Sequence, residues 1–114
     1  MEELSADQLF DIFIDTLGYL DEKYLSSDSD LEYFIMEELD SDAHTFFHSN
    51  TVNKLINAKL ISASIGSDVN ELRELIIGPL QNKMKLESIR DDSQWQEARY
   101  LAKCILKDIK KCDN

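Results

Sequence analysis

The chain has 114 residues, of which 43% are hydrophobic, so a single domain spanning residues 1–114 can bury its own apolar core. Three glycines and one proline are too few for the many special turns of sandwiches and barrels. No segment approaches the roughly 18 apolar residues of a membrane span, and the opening Met-Glu-Glu-Leu-Ser lacks the positive charge of a signal peptide. We therefore expect a cytoplasmic protein that does not bind a membrane.

The first predicted helix runs from about Ala6 to Leu20. Ser5 and Gln8 stand three residues apart and form the sequence signature of a capping box, in which each side chain binds the other residue's backbone N–H. The apolar residues recur at helical spacing and give the helix one core-facing side. These residues are Leu9, Phe10, Phe13, Leu17 and Leu20.

A second capping box, Ser29 with Glu32, predicts a helix from about Asp30 to Leu39. The polar residues just before it are expected to form an exposed linker. The side chains expected to face the core are Leu31, Phe34, Ile35 and Leu39. The following Asp40-Ser41-Asp42 either ends this helix or lets it continue through Phe46-Phe47, and the sequence leaves both open.

Two further helices are predicted in the middle of the chain. One runs from about Thr51 to Leu60 with Ser49 as its cap, and the other runs from about Asp68 to Ile77 with Ser67 as its cap. Gly78-Pro79 follows the second of these in the order expected at a helix end.

The end of the chain carries the clearest helical pattern. Residues 80–92 fit either a short helix or an irregular connector, whereas Asp92 or Ser93 caps a helix that reaches about Lys111. Its apolar face runs from Trp95 to Ile109, and its C-terminal lysines suit the helix dipole. Five or six short helices joined by short loops predict an all-α fold, a compact helical bundle.

The two cysteines, Cys104 and Cys112, are eight positions apart in this last helix. At the helical rise their Cα atoms would be ~12 Å apart, which is too far for a disulfide. We expect reduced thiols, as in the cytosol, with Cys104 packed in the core and Cys112 in the tail.

Few residues suggest catalysis or metal binding. His44 and His48 have the spacing of two ligands on one helix face, but Thr45 stands where zinc proteases have Glu, and no third ligand is evident. The acidic run from Asp28 lacks the Gly and the final Glu of a calcium loop, and there is no glycine-rich phosphate loop. We expect no enzymatic activity, no metal and no cofactor; an enzyme built on the two histidines and nearby acids is the alternative of that class.

Charge is the most informative property of the sequence. The net charge is −11, and residues 1–50 carry fourteen acids and one base, a net of −13. Residues 51–114 carry nine acids and eleven bases, a net of +2. A field divided in this way attracts a cationic partner and repels nucleic acid.

Acids and tyrosines are interleaved most densely between Asp21 and Asp42. Solvation is the better explanation for any one of these acids, but tyrosines among clustered acids provide the aromatic anchors and the charges of a protein-binding surface. The candidate partner-binding residues are Tyr24, Asp28, Asp30, Glu32, Tyr33, Glu37, Glu38, Asp40 and Asp42.

The chain resembles a family through its size, its acidity and several stretches of its C-terminal half. The stretches are Leu60-Ile61-Ser62, Val69-Asn70-Glu71-Leu72-Arg73, Asp92-Ser93-Gln94-Trp95, Ala98-Arg99-Tyr100-Leu101-Ala102 and Ile105-Leu106. They are similar to small helical bacterial immunity proteins of the nuclease-colicin and contact-dependent growth inhibition types. The Tyr-Tyr-Pro stretch of the nuclease-colicin members is missing, so their binding epitope is not carried over.

The resemblance implies an inhibitor of a basic protein toxin, the C-terminal nuclease domain of a secreted effector. An acidic helical face would fill the cleft in which such a toxin cuts tRNA, rRNA or DNA. Two alternatives remain, a phage inhibitor that mimics nucleic acid and a helical adaptor domain, although the near-neutral C-terminal half makes the mimic less favoured. Oligomeric state is open, because four large apolar residues fit either the core or a homodimer contact. These are Met36, Phe46, Phe47 and Trp95.

Overall fold

The computed structural model describes the backbone of residues 5–112 and the side chains of that range except those of residues 40 and 110–112. Its elements, in chain order, are α1 (Ala6–Gly18), a first 3-10 turn (Glu22–Ser26), α2 (Asp28–Asp30), a π-helix (Leu31–Leu39), α3 (Asp40–Phe46), α4 (Ser49–Asn57), α5 (Ala63–Ile77), a second 3-10 turn (Pro79–Lys83), α6 (Leu86–Asp91) and α7 (Ser93–Cys112). Over residues 5–112 there is no strand, and the predicted all-α fold is confirmed.

The segment from α2 to α3 forms one continuous helical rod. The backbone stays in the right-handed helical region at both junctions, Leu31 and Leu39. The helix therefore continues through Asp40-Ser41-Asp42, the second of the two possibilities that the sequence left open. Counted this way, the described range holds six helices, within the predicted five or six.

The π-helix keeps its buried side chains on one line. Buried residues recur at every fourth position, from Leu31 through Ile35 and Leu39 to Ala43 and Phe47. In an α-helix, with about 3.6 residues per turn, a spacing of four drifts around the axis by about 40° at each step. Because a π-helix bonds each N–H one residue further back, its turns are wider and offset that drift.

The core lies where α5 and α7 pack together, with α1 and α3 closing over them. Trp95 is completely buried, and its Nε1–H donates a hydrogen bond to the carbonyl oxygen of Lys83 at 2.9 Å. Phe13 of α1 meets Phe47 edge to face, with ring centroids 5.6 Å apart. A buried tryptophan with its N–H satisfied and an aromatic pair in this geometry both stabilise the packed state.

Two predicted caps are present. The Ser5 side chain accepts from the backbone N–H of Gln8 at 3.2 Å, and the Gln8 side chain accepts from the backbone N–H of Ser5 at 2.9 Å. At the start of α7, Oδ1 of Asp92 accepts from the backbone N–H of Gln94 at 2.8 Å. Both caps satisfy N–H groups that have no partner inside their helix.

Two other caps were predicted at the wrong residue. Ser27, not Ser29, begins the rod, because its side chain accepts from the backbone N–H of Asp30 at 3.3 Å. Ser29 lies within the first helical turn, so the segment predicted as a linker is helical there. His48, not Ser49, caps α4, since its Nδ1 accepts from the backbone N–H two residues further on at 3.1 Å.

Helix α5 begins earlier than predicted. Ser62 caps it, accepting from the backbone N–H of Ile65 at 3.2 Å, and Ser67 is an exposed residue inside the helix. The additional turn buries Ile65 and places Gly66 against α4. A Cβ at Gly66 would lie 2.9 Å from Cδ1 of Ile56, so the missing side chain permits this close approach.

Several residues whose role the sequence left open now have a position. Residues 80–92 contain the second 3-10 turn and α6. Phe47 and Trp95 are buried in the core, whereas Met36 and Phe46 are half-buried against it. The prediction that Cys104 packs in the core is wrong, because this free thiol is half-buried on a surface of α7; the Cys112 side chain is outside the described residues.

Candidate protein-binding surface

Four aromatic rings meet on the outer side of the rod. Phe34 is at the centre, with ring centroids 5.4 Å from Tyr19, 4.5 Å from Tyr24 and 4.9 Å from Tyr33. Together with the neighbouring carboxylates of Glu38 and Asp42 these rings form what we call the acidic–aromatic surface. The rings come from the C-cap residue of α1, the first 3-10 turn and the π-helix, so the surface requires the folded chain.

The rings differ in their exposure. Tyr33 is 52% exposed, whereas Tyr19, Tyr24 and Phe34 are half-buried. Tyr19 and Tyr24 also pack against the edge of the core. Tyr33 therefore projects as an anchor from a base of rings that the core supports, the arrangement that hot spots in protein interfaces favour.

The carboxylates beside these rings repel one another. Burial raises the pKa of Asp42, and the negative charge of Glu38, one turn away, raises it further. Burial also raises the pKa of Tyr19, with further contributions from Asp42, Glu38 and Asp15. Burial and neighbouring negative charge thus act in the same direction on both groups, and no cation among the described residues opposes either shift.

One base lies beside the rings of the surface. Lys23, the one base among residues 1–50, has its Nζ 5.1 Å from the centroid of the Tyr24 ring. This cation–π contact joins two neighbouring residues of the first 3-10 turn and engages the ammonium group with a ring. No ion pair involves Lys23 within the described part of the chain, so the carboxylates of the acidic–aromatic surface remain available to an external cation.

The other predicted partner-binding acids fall into two groups. Asp28 forms an ion pair with Arg90 of α6, whose Nε–H also donates to the carbonyl oxygen of Leu25 at 2.9 Å. Asp28 thus connects the rod to α6. Glu32 and Glu37 are exposed, and Asp30 is half-buried. None of these three carboxylates has a hydrogen bond or ion pair with a described residue. The side chain of Asp40 is outside the described residues.

The sequence identified Tyr24, Tyr33, Glu38 and Asp42 of this surface but missed its centre. Phe34 was expected to face the core, and it faces the tyrosines because the wider turns of the π-helix move it off the buried line. Tyr19 lies just before the acidic run and was not among the candidate partner-binding residues. The every-fourth spacing of Leu31, Ile35 and Leu39 was the one sequence signal that could have indicated the altered register.

The histidines do not form part of a ligand cluster. His44 is exposed on α3, and the Nδ1 of His48 is engaged as the α4 cap. Among the described residues no three His, Cys, Asp or Glu side chains are arranged to hold a metal ion. The same residues contain no helix of the length and apolarity needed to span a membrane.

No protein-family model, no curated protein and no solved structure matches the chain. The resemblance to bacterial immunity proteins accordingly has no support from a relative of known function. What the chain does has to be inferred from its own surfaces.

Proposed function

We propose that the chain is an immunity-type inhibitor that binds a basic protein toxin, a nuclease domain, through the acidic–aromatic surface. The observation that carries the proposal is the combination of uncompensated carboxylates with an exposed tyrosine on a supported aromatic base. Such a surface needs no cofactor and no catalytic residue. It acts by occupying the site where the toxin would hold its nucleic acid.

Each part of the surface has its own task. Glu38, Asp42 and the exposed acids of the π-helix attract the cationic cleft over a distance of about one Debye length, ~8–10 Å, and raise the association rate. Tyr33 supplies desolvated contact area, which lowers the dissociation rate. The carboxylates then take the positions of substrate phosphates and exclude the substrate.

The alternative of a nucleic-acid mimic is less well supported. A mimic needs carboxylates along most of its length, whereas residues 51–114 are near neutral and carry exposed lysines such as Lys103 and Lys107. The aromatic cluster also offers apolar area, which contributes more to a protein interface than to the displacement of a phosphate backbone. An adaptor domain would use the same surface and is distinguished only by the partner.

The direct test is co-expression with the toxin domain encoded beside this gene. We expect the cells to survive and the two proteins to co-purify as a complex without nucleic acid. Unprotected cells together with no co-purification would contradict the proposal. Recovery of a host DNA-binding complex from a pull-down would favour the mimic instead.

A matched pair of double variants locates the interface. Glu37→Lys with Glu38→Lys should reduce the association rate at low ionic strength by at least about tenfold. Glu97→Lys with Asp108→Lys on the polar face of α7 changes the net charge equally and should change the rate much less. Equal losses in both pairs would show that total charge, not this surface, determines binding.

The aromatic anchor is tested separately. Tyr33→Ala should weaken the complex by roughly 30-fold, mainly through faster dissociation, because it removes the exposed ring of the surface. Tyr33→Phe retains the ring and is the control, expected to lose much less. An unchanged dissociation rate in Tyr33→Ala would place the contact elsewhere.

A further inference from the structure

A groove runs along α7 and adjoins the first 3-10 turn, which supplies Glu22 and Leu25 to its lining. It consists of two adjoining hollows with volumes of about 480 Å³ and about 530 Å³. The first hollow lies between the end of α1 and α7, and the second lies between the first 3-10 turn, α6 and α7. Both are lined by Glu22, Arg99, Lys103 and Lys107, so we treat them as one feature, the α7 groove.

The floor of the groove is apolar. Leu17 and Leu20 from the N-terminal side face Ala102 and Leu106 of α7 across the first hollow. Tyr100 lines the second hollow and is 70% exposed, more than any other large hydrophobic side chain of the described residues. A concave apolar floor with an exposed aromatic side chain is typical of a protein-docking site.

The α7 side of the rim is cationic, whereas Asp21 and Glu22 place two carboxylates on the opposite side. Lys103 and Lys107 are four residues apart, hence on one side of α7, and both are exposed with no hydrogen bond or ion pair to a described residue. Arg99 is held differently, since its guanidinium donates to the carbonyl oxygens of Ile89 and Arg90 at the end of α6. Those carbonyls satisfy its N–H groups and leave its positive charge in place.

We propose that the α7 groove binds an acidic amphipathic helix of a partner protein. Carboxylates at positions i and i+4 of that helix would pair with Lys103 and Lys107, and its apolar residues would cover the floor beside Leu106. From Gln96 to Lys107 the groove follows α7 for about 16 Å, the length of roughly three helical turns. Docking of an amphipathic helix into an apolar groove is a recurrent mode of recognition.

Charge complementarity decides which kind of occupant fits. In a chain with a net charge of −11, the two lysines and Arg99 form a local cationic area over apolar side chains. A nucleic acid would bring dense charge against the surrounding acids, with little use for the apolar floor. A helix with one acidic side and one apolar side satisfies both parts of the groove.

Gly18 provides a way to fill the groove without disturbing the fold. It lines the first hollow, and a Cβ placed on it would meet no atom within 4 Å. Gly18→Leu should therefore occupy part of the groove, and Gly18→Ala is the matched control that leaves most of it open. Both replace a glycine at a helix end with a better helix former, so neither is expected to reduce stability.

The binding test uses a labelled synthetic peptide of about 14 residues, roughly four helical turns, with Leu on one face and Glu at i and i+4 on the other. Fluorescence anisotropy should show saturable binding to the wild-type chain. Lys103→Glu with Lys107→Glu should weaken it by at least about tenfold, and Gly18→Leu by several-fold. Lys54→Glu with Lys85→Glu, exposed lysines outside the groove, makes the same change in net charge and should leave the affinity nearly unchanged.

Three results would overturn the proposal. The first is that the acidic peptide shows no saturable binding to the wild-type chain. The second is that both lysine double variants weaken peptide binding equally. The third is tighter binding of a single-stranded oligonucleotide that is lost in the same groove variants, which would identify the occupant as nucleic acid. Protection against the toxin should persist in the groove variants, so this proposal and the proposed function can fail independently.

Discussion

The acidic–aromatic surface and the α7 groove adjoin the same 3-10 turn, and they differ in how their charges are held. On the acidic side, the carboxylates near Tyr19 repel one another, and the nearby Lys23 is over an aromatic ring. On the other side, Arg99 is anchored to two carbonyl oxygens of α6. The guanidinium of Arg99 thus serves the fold, whereas the carboxylates of the acidic side and the ammonium groups of Lys103 and Lys107 are available for binding.

The C-terminal half shows the structural use of charge most clearly. Lys83 forms an ion pair with Asp92 at 2.9 Å and donates to the side chain of Gln94 at 2.7 Å, while its carbonyl oxygen accepts from Trp95. In the described part of the chain the other ion pair joins Arg90 to Asp28. Both pairs lie at α6 or beside it, and the Arg90–Asp28 pair connects α6 to the rod.

The largest expected effect tests whether the C-terminal half is the scaffold. Trp95→Ala should reduce the free energy of unfolding by about 3–5 kcal/mol, because it empties the largest buried site and removes the hydrogen bond to Lys83. Trp95→Phe should cost about 1–3 kcal/mol, since the Lys83 carbonyl loses its donor while most of the volume is retained. Urea unfolding followed by circular dichroism measures both, and a loss in Trp95→Ala no larger than in Trp95→Phe would contradict this role.

A smaller effect tests the division between structural and free charge directly. Arg99→Met should reduce stability by about 1–3 kcal/mol, because two carbonyl oxygens at the end of α6 lose their donor. Glu37→Gln, on the acidic side, should leave stability unchanged or slightly higher. Similar losses in the two variants, measured by the same urea titration, would remove the distinction between the two sides.

The smallest expected effect concerns the carboxyl groups of Asp42 and Asp92, which should make stability depend on pH in opposite directions. Because the pKa of Asp42 is raised above 3.8, the folded chain binds more protons than the unfolded chain just above that pH, so this group makes stability fall as pH rises. The pKa of Asp92 is lowered, first by the hydrogen bond from Lys83 and then by the backbone N–H of Gln94. Its contribution is present above 3.8 and is lost as pH falls through the lowered pKa.

For each acid, the free energy of unfolding of its variant, Asp42→Asn or Asp92→Asn, is subtracted from that of the wild type at each pH. The difference isolates the contribution of that carboxyl group. The Asp42 difference should decline as pH rises above 3.8, and the Asp92 difference should rise as pH increases towards 3.8. If both differences changed in the same direction with pH, the two carboxyl groups would not lie in opposite electrostatic environments.

Local signals in the sequence were sufficient for part of the fold. The caps at Ser5 and Asp92 could be predicted because each immediately precedes a strongly periodic apolar run. The caps at Ser27 and Ser62 were missed because another serine further along the chain offers the same signature. The buried apolar area decides between two candidate cap residues. Ile65 is buried as part of α5 only if the helix starts after Ser62.

Long-range contacts determined what the sequence could not show. The pairing of Arg90 with Asp28 joins residues 62 positions apart, and neither residue type indicates its partner. The α7 groove was missed for the same reason, because Leu17 and Leu106 form one floor only after α1 packs against α7. The acids and two of the tyrosines were identified because charge and ring chemistry are properties of the sequence itself.

The π-helix makes the acidic–aromatic surface sensitive to chain length as well as to residue type. An α-helix advances by about 100° per residue, so removing one residue such as Met36 and tightening the π-helix into an α-helix are changes of opposite sense that largely cancel for the residues before it. Tightening the segment without shortening it would instead turn Tyr33 and Phe34 relative to Glu38. The number of residues in this segment is thus part of what defines the binding surface.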